Sequence, residues 1–502
     1  MRRGLAVVLA AIAVGAVLAP SAESAGKAAC APAAHAGGDW PMYGHDYGNS
    51  RFQDEELTIG TTEAATLQSA WTFSTEGHGD FTGTPVVADA CVFVGSNGGW
   101  AYALNADTGA PVWQSKVGGK NGSIDSSAAV DGGRVFFTVS QTSKPSVIAL
   151  DELTGKLLWR TVQTTQRGTD VYSSPVVFDG MVIAGWSGGS AELGDDDDRR
   201  ALQGGFVILD AATGRVLKRT YTIHPPNPKQ KDDFAGGGIW STAAVDPKAR
   251  LAYVGTGNPF RATAQHRYTD AILKIDLDRG HRSFGRIIDS FQGIPETYEK
   301  TFEQLPCYDI PGNPPPYYPQ GLGSCMQLDL DFGASPNLYR RDGIQHVGEG
   351  QKSGIYWILN AKTMKPTGAA TVGVPSSVGG IVGSTATDGD AIYGPTTQGY
   401  LWAASIHDGN NDWFSPVADG AHWGEAVAVA KGVVYTVDLR GCLDAFDAAT
   451  GAPLLVHPME VDTGGLTASW GGVSVARNTV YAAVGITGLP DGFVVAYRAP
   501  GS

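Results

Sequence analysis

A short phrase that recurs along the chain limits the fold more than any other feature of the sequence. It consists of alternating apolar residues, then Asp or Asn, then Thr-Gly, with an aromatic residue a few positions later. Alternation predicts a half-buried strand, and the Asp/Asn and Thr-Gly residues predict a tight turn. The clearest copies occupy residues 101–109, 147–155, 206–214 and 442–451, and weaker copies occupy 271–280, 354–363, 399–405 and 492–497. Such self-similarity is typical of a repeat architecture.

A second pair of strand-like runs precedes most copies, as in residues 84–94 and 174–183, which makes about four strands per unit. Eight four-stranded antiparallel units predict an all-β, eight-bladed β-propeller, which protects its strand edges by radial repetition. A β-sandwich array or a β-helix is the rival, and the four strands per repeat with closing aromatics favour the propeller. The segment Leu67–Phe73 resembles a single strand without a blade. We expect it to complete the ring beside the last blade.

The first 29 residues have the pattern of an export signal. Basic Arg2 and Arg3 precede an apolar stretch over residues 4–18, and small residues follow to Ala29. The apolar stretch is short for a membrane span, and no later stretch is long enough. Cys30 lacks the apolar residue expected three places upstream of a lipidation site. We therefore expect an exported protein, in the cell envelope, the periplasm or the medium, with one propeller domain over residues 39–498 and no membrane span.

Net charge limits the kinds of partner that the chain can bind, and the cysteines indicate which disulfides and covalent groups it can carry. A formal net charge of −14 disfavours nucleic acid and anionic membrane surfaces as partners. Of the five cysteines, Cys307 and Cys325 bracket a Pro-rich loop and are the natural disulfide pair of an oxidising compartment. Cys91 and Cys442 lie in apolar strand-like runs and are expected to be buried thiols, with a bridge between them as the alternative. Because no CxxCH motif occurs, the sequence predicts no covalent haem.

The repeat resembles that of quinoprotein alcohol dehydrogenases, and residues 39–52 are similar to the N-terminal stretch of that group, in particular of polyvinyl alcohol dehydrogenases. This resemblance extends over roughly residues 39–498. The repeat by itself is not specific for enzymes, since non-catalytic propellers of outer-membrane assembly also carry it. A function must therefore be argued from site residues.

Five residues match segments that carry chemistry in this family. The resemblance implies that Glu192 and Asn258 ligate calcium, and that Asp331 is both a calcium ligand and the catalytic base. It also implies that Trp240 forms the floor under the pyrroloquinoline quinone (PQQ) and that Lys352 contacts a quinone oxygen. Gly333 stands where lanthanide-dependent relatives carry an additional Asp, so the resemblance favours calcium.

The chemistry fits these residue types. Calcium takes six to eight oxygen ligands, which carboxylates and an amide supply. The ion acts as a Lewis acid on the quinone carbonyl, Asp331 removes the alcohol proton, and Lys352 stabilises the developing negative charge. We therefore expect a PQQ- and calcium-dependent oxidation of alcohol groups, with polyvinyl alcohol or smaller alcohols as substrate. Without a haem motif, the electrons pass to an external acceptor such as cytochrome c.

Alternatives remain open at this point. A non-catalytic propeller scaffold that binds cell-envelope proteins, or a quinoprotein acting on a sugar, carries the same repeat. Taken singly, Glu192 is a loop acid beside the solvated run of residues 195–198, and Asn258 is a turn residue. Core packing is the favoured role for Trp423 and Trp470. The ceiling of the quinone pocket, the groups that hold the cofactor carboxylates and the oligomeric state are not assigned.

Overall fold

The structure is a computed structural model that describes residues 30, 36–189, 202–223, 235–259, 266–295, 330–375, 379–407, 409–417 and 426–501. These residues form eight sheets of mainly antiparallel strands, which are the blades of an eight-bladed β-propeller. The predicted fold class and the four strands per blade are confirmed. Glu192, the Cys307–Cys325 pair, residues 1–29 and Trp423 lie outside the described residues.

Two strands precede the first blade, β1 (Phe52–Gln53) and β2 (Gln68–Ser74), with the short helix α1 (Thr61–Ala64) between them. Blade 1 contains β3–β6 (Val86–Ala88, Cys91–Gly95, Trp100–Asn105, Pro111–Lys116), and blade 2 contains β7–β10 (Ala129–Asp131, Arg134–Val139, Ser146–Asp151, Leu157–Val162). Strand β11 (Thr169–Asp170) pairs with the second strand of blade 3, which contains β12–β15 (Val176–Phe178, Met181–Gly188, Gly205–Asp210, Val216–Tyr221). Blade 4 contains β16–β19 (Ala244–Asp246, Leu251–Gly255, Ala271–Asp276, Ile287–Gln292).

The second half of the ring follows the same plan. Blade 5 contains β20–β23 (Asn337–Arg341, Ile344–Gly350, Ile355–Asn360, Lys365–Thr371), and blade 6 contains β24–β27 (Ala386–Thr387, Ala391–Pro395, Tyr400–Ser405, Asn411–Pro416). Blade 7 contains β28–β31 (Ala428–Ala430, Val433–Val437, Cys442–Asp447, Pro453–Pro458) and is followed by helix α2 (Glu460–Thr463). Blade 8 contains β32–β34 (Val473–Ala476, Thr479–Val484, Phe493–Arg498).

The ring closes where the sequence predicted. Strand β2 pairs antiparallel with β34, with Gln68 opposite Arg498 and Ser74 opposite Phe493, and so becomes the outer strand of blade 8. At the centre, the first strand of blade 8 contacts the first strand of blade 1. The two ends of the chain's repeat are therefore joined by backbone hydrogen bonds, and β2 completes the four strands of blade 8.

The repeated Thr-Gly turn has a packing role between blades. Trp113 of blade 1 donates its indole N–H to the Glu152 carbonyl at 2.7 Å and lies on Gly155 in the turn of blade 2. Gly155 has φ +67°, and a Cβ there would lie 2.5 Å from the indole, so only glycine fits. The same Trp-on-Gly contact joins Trp71 to Gly109, Trp159 to Gly214 and Trp413 to Gly451.

Residues 36–53, which we call the N-terminal strap, cross the centre of the ring and touch the innermost strand of blade after blade. Its backbone exchanges hydrogen bonds with six of these strands, joining Trp40 to Val87, Pro41 to Val130, Tyr47 to Val245, Gly48 to Leu338, Ser50 to Thr387 and Arg51 to Val429. Side chains add further bonds, since Asn49 donates to the carbonyls of Thr242 and Pro336. One end of the central channel is thus covered by the chain's own N-terminal region.

The cysteine prediction is wrong in one respect. Cys91 is not a free thiol and does not bridge to Cys442, because it forms a disulfide with Cys30, 61 residues earlier. Cys442 is a free, buried thiol, as expected. The bond fixes Cys30 onto the second strand of blade 1.

The helices that the structure describes are each four residues long, and none of them has the length and apolar character required to cross a membrane.

The Trp-on-Gly contact predicts a difference between two glycines of equal conformation. Gly155 and Gly180 both have φ +67°, but a Cβ at Gly180 meets no atom within 4 Å. We expect Gly180→Ala to cost about 1 kcal/mol of unfolding free energy, from the left-handed backbone alone. Gly155→Ala should cost about 1–3 kcal/mol more, because the methyl group overlaps the Trp113 indole. Urea denaturation measures both, and equal losses would contradict the role given to the contact.

Candidate active site on the propeller axis

A cavity of about 640 Å³ lies on the propeller axis, above the strap. Its walls come from all eight blades or the loops that enter them, and Tyr43 of the strap lies at its base. Three of the five sequence-predicted site residues line it, namely Trp240, Asp331 and Lys352. These residues come from blades 4 and 5, so the fold brings together positions that are up to 112 residues apart in the chain.

The three side chains form one compact group. The Trp240 indole N–H donates to Asp331 Oδ2 at 3.1 Å, and Lys352 Nζ lies 3.6 Å from the same oxygen. Lys352 Nζ also lies over the Trp240 ring, 4.9 Å from its centroid. Asp331 and Lys352 are 4% and 6% exposed, so their charges face each other in a partly desolvated space. An ion pair in such surroundings is much stronger than one on the surface.

Backbone bonds hold this group in position. The amide of Lys352 donates to the Asp331 carbonyl at 2.9 Å, and the amide of Phe332 donates to the Thr256 carbonyl at 3.1 Å. Gln351, which sequence reasoning did not single out, is fully buried and donates from Nε2 to the Leu330 carbonyl at 2.7 Å. Trp357 and Ser353 in turn donate to Gln351 Oε1. The segments that carry Asp331 and Lys352 are therefore tied to each other by an amide side chain.

Two glycines allow close approach around the carboxylate. A Cβ at Gly333 would lie 2.0 Å from Trp240 Cη2, so the indole lies in close contact with the backbone two residues after Asp331. A Cβ at Gly257 would lie 3.0 Å from Asp331 Oδ2. Asn258 is the next residue, and its carbonyl accepts a hydrogen bond from the Gly237 amide at 2.8 Å. Asn258 is thus carried to the neighbourhood of Asp331, although it does not line the cavity.

Another part of the cavity wall carries acids that the sequence did not indicate as functional. Asp125 and Asp170 lie there, and each accepts a serine hydroxyl, from Ser123 and Ser140 respectively. The pKa of Asp125 is raised to about 6, chiefly by burial, and the Asp170 carboxylate contributes to the rise while the Ser123 hydrogen bond opposes it. The cavity therefore has a cation at Lys352 and an acidic wall where Asp125 and Asp170 lead into blades 2 and 3.

Two further predictions about the pocket can be compared with the structure. Trp470 lines the cavity and is partly exposed, so the core-packing role favoured for it is wrong. Among the described residues no group of three His, Cys, Asp or Glu side chains converges on one point. The predicted calcium set joins Asn258 and Asp331 to Glu192, which lies outside the described residues, so that set remains a prediction.

Comparison with known proteins gives the same family as the motifs. A family model described as outer membrane protein assembly factor BamB matches residues 56–296. A polyvinylalcohol dehydrogenase from Sphingopyxis sp. is 29% identical over 86% of this chain and 68% of its own length. Subunit 1 of methanol dehydrogenase [cytochrome c] from Methylorubrum extorquens is 27% identical over 49% of this chain. The chain spans about two thirds of the length of the first relative and 45% of that of the second.

Among solved structures, the quinohemoprotein alcohol dehydrogenase from Comamonas testosteroni has a TM-score of 0.69 over 92% of this chain and 81% of its own. Its 18% sequence identity supports the fold and no more. The curated relatives, which include an alcohol dehydrogenase (quinone), are similar to this chain over most of its length. The resemblance deduced from the repeat is thereby confirmed: the chain is similar to quinoprotein alcohol dehydrogenases.

Proposed function

We propose that this protein oxidises alcohol groups to carbonyls with PQQ and calcium as cofactors, and passes the electrons to a separate acceptor. The observation that carries the proposal is the Asp331 carboxylate on the axis, held between the Trp240 indole N–H and the Lys352 ammonium. A general base, a flat aromatic surface and a fixed cation then lie within one cavity. Alcohol oxidation requires all three when the oxidant is a quinone.

The residues present fit such a cofactor. A tricyclic quinone needs a flat apolar surface, and the Trp240 ring offers one at the cavity wall, in close contact with Gly333. The cavity volume of about 640 Å³ lies within the range of small-molecule sites. Lys352 would contact the quinone oxygens, and Trp240 would form the floor. Glu192, Asn258 and Asp331 would supply oxygen ligands to calcium, a hard cation that prefers them.

When bound, PQQ would supply a two-electron acceptor for the hydride of the alcohol carbon. Asp331 accepts the hydroxyl proton, so the substrate loses a hydride and a proton and becomes a carbonyl. The Trp240 N–H orients the Asp331 carboxylate, and the adjacent Lys352 charge favours its ionised form. The hydrogen bond from Gln351 to the Leu330 carbonyl keeps the segment that carries Asp331 in place.

The relatives and the disulfide support a proposal for the partner, the substrate and the location. A relative carries cytochrome c in its name, and we propose cytochrome c as the acceptor here. A polyvinylalcohol dehydrogenase is among the relatives, and we propose polymeric or secondary alcohols as substrates ahead of sugars. The Cys30–Cys91 disulfide supports an oxidising compartment, such as the periplasm or the medium.

A non-catalytic scaffold is the second candidate, because the matching family model is that of an assembly factor. A scaffold binds its partners on outer surfaces and does not require a buried charge pair on the axis. Asp331 and Lys352 are only 4% and 6% exposed, and burying two charges costs free energy through desolvation. A catalytic site accounts for such a cost, because the reaction uses both groups, whereas a scaffold has no use for them. Full activity with PQQ would exclude the scaffold.

Replacement of Asp331 by Asn tests the general base. We expect kcat with a short alcohol to fall by about 10²–10⁴-fold, because the amide cannot accept the proton. Binding of PQQ, followed by quenching of tryptophan fluorescence, should change little. The matched control is Asp444→Asn, a fully buried carboxylate of blade 7 that does not line the cavity. Retained turnover in Asp331→Asn, or equal loss in the control, would refute the assignment.

The acidic wall predicts a pH dependence of cofactor binding. Below about pH 6 Asp125 is protonated and neutral, and above it the carboxylate repels the anionic cofactor. We therefore expect the dissociation constant of PQQ to rise by about tenfold from pH 5 to pH 8. Asp125→Asn should flatten this dependence, in fluorescence titrations at constant ionic strength. An unchanged slope in the variant would show that other groups control the binding.

Gly333 allows the calcium assignment to be tested. In lanthanide-dependent relatives an Asp occupies this position, but here a Cβ would lie 2.0 Å from the Trp240 ring. We expect Gly333→Asp to displace Trp240 and to weaken PQQ binding by more than about tenfold with either Ca²⁺ or La³⁺. Titrations with each ion measure this. A variant that binds PQQ well and gains La³⁺-dependent activity would contradict the proposed packing.

A further inference from the structure

The two faces of the propeller carry different turns of the repeat. In each blade the residues before the innermost strand line the cavity, so the turn after that strand lies at the other end of the blade. Because neighbouring strands are antiparallel, the turn before the outermost strand lies at that end too. We call this end of the ring, whose centre the strap covers, the strap face. Every blade supplies equivalent turns to it, but their charges differ from one half of the ring to the other.

Cationic side chains predominate on the strap face of blades 3, 4 and 5, which we call the basic half. Contacts between blades make this half continuous. Arg250 of blade 4 pairs with Asp179 of blade 3, and Lys274 Nζ of blade 4 donates to the Lys362 carbonyl of blade 5 at 2.7 Å. Its turns contain eleven Lys and Arg and six Asp, in residues 179–180, 210–218, 246–250, 276–286, 340–344 and 360–365.

Acidic side chains predominate on the strap face of blades 7, 8 and 1, which we call the acidic half. The Asp39 carboxylate lies 3.3 Å from Arg477 of blade 8 and accepts from the amide of Asp89 of blade 1 at 3.3 Å. Asp54 and Glu55 follow β1 beside blade 7 and are exposed. This half contains eight Asp and Glu and three Lys and Arg, in residues 39, 54–57, 61–67, 89–90, 105–111, 430–433, 447–453, 476–479 and 498. The two halves of one face therefore carry charges of opposite sign.

This charge pattern is complementary to itself about a two-fold axis. In a ring of eight blades, an axis that lies in the plane of the face and runs from blade 2 to blade 6 exchanges blade 4 with blade 8. The same axis exchanges blade 3 with blade 1 and blade 5 with blade 7. Two copies placed face to face about it would set the basic half of each against the acidic half of the other, as an isologous interface requires.

Exposed apolar side chains on the strap face agree with the same axis. Leu57 is 74% exposed, and its carbonyl accepts a hydrogen bond from Lys431 of blade 7. Ile344, in the first turn of blade 5, is 47% exposed, and Leu153, in a turn of blade 2, is 66% exposed. The axis brings blade 5 over blade 7, and so Ile344 toward Leu57 of the partner subunit, and brings blade 2 over blade 2. Burial of these side chains would add hydrophobic stabilisation to the attraction between the charges.

We propose that the protein forms a homodimer in which two strap faces pack together, with blades 3–5 of each subunit over blades 7, 8 and 1 of the other. The formal net charge of −14 makes two copies repel each other at long range. The Debye length at physiological ionic strength is about 8 Å, so at contact the facing halves determine the sign of the interaction. Both cavities open away from the interface. The dimer therefore does not depend on the proposed function and leaves both cavities accessible.

Reversal of two charges in the basic half tests the interface. Lys248 and Arg282 are exposed and form no ion pair within the described part of the chain. We expect sedimentation of the wild type to show a dimer whose Kd rises by about tenfold between about 50 mM and 500 mM NaCl. Lys248→Glu with Arg282→Glu should raise the Kd at low salt by more than about tenfold, because like charges then face each other.

The matched control has the same net charge but alters the cavity face. Lys120→Glu with Lys144→Glu reverses two exposed lysines in turns on the side of the cavity mouth, so the Kd should stay at the wild-type value. An equal loss of association in this pair would show that only net charge matters, and would overturn the proposal.

A mixing experiment identifies which halves meet. Asp54→Lys with Glu55→Lys reverses charge in the acidic half, and this variant alone should be a monomer, as should Lys248→Glu with Arg282→Glu. An equimolar mixture of the two variants should form a heterodimer, because each altered half then meets a half of opposite charge. Only an interface of basic half on acidic half gives this result.

Three outcomes would overturn the proposal. The first is a wild type that remains monomeric in low salt at about 100 µM, a concentration at which even a weak specific dimer is populated. The second is a mixture of the two variants that does not associate. The third is a monomeric wild type that binds an anionic polymer such as dextran sulfate and loses this binding in Lys248→Glu with Arg282→Glu, since the basic half would then serve an anionic partner.

Discussion

The hydrogen bonds between the N-terminal strap and the innermost strands are the constraint on which the rest of the structure depends. A propeller whose inner strands meet around an axis leaves a channel, and the backbone groups that face it need partners. The strap supplies them to six blades in turn, and it reaches blade 3 through the edge-to-face contact of Tyr47 with Phe178. Because it covers one end of the channel, the cavity is a closed-bottomed site and not a pore.

The blades are joined by different interactions at different radii. Near the rim, a Trp lies on a turn glycine between blades 8 and 1, 1 and 2, 2 and 3, and 6 and 7. Between blades 3 and 4 the Lys218 side chain contacts the turn glycine Gly285. Between blades 5 and 6 the backbone of Ala369 contacts the turn glycine Gly409. Near the axis, a backbone amide of each blade donates to a hydroxyl of the next, and this series runs through Thr84, Ser127, Ser174, Thr242, Ser335 and Ser384 of blades 1 to 6. The inner joints therefore persist around the blades that carry Asp331 and Lys352, where the outer Trp contact is absent.

The sequence predicted those parts of the molecule that depend on local pattern. Strand alternation and the Thr-Gly turn are short-range features of the sequence. Their repetition predicted the eight blades and the strand β2 that closes the ring. Trp240, Asp331 and Lys352 were found because their segments resemble a known family, and the fold brings them within 5 Å of one another. Cys30–Cys91, the strap and the acids Asp125 and Asp170 were missed. Each depends on contacts between segments whose own sequence carries no periodic signal.

The charge on neighbouring acids also affects the ionisation of Asp331. Glu349 is fully buried in blade 5, and its oxygens lie next to Gly255, three residues before Asn258. Neither oxygen has a hydrogen-bond partner among the described residues, and burial raises the pKa of Glu349 well above its usual value.

Burial therefore favours the neutral form of Glu349, whereas the Lys352 ammonium and an indole N–H favour the ionised form of Asp331. Two carboxyl groups on neighbouring segments are thus biased toward opposite protonation states by their surroundings. The less charge the buried acid carries, the less it opposes ionisation of Asp331.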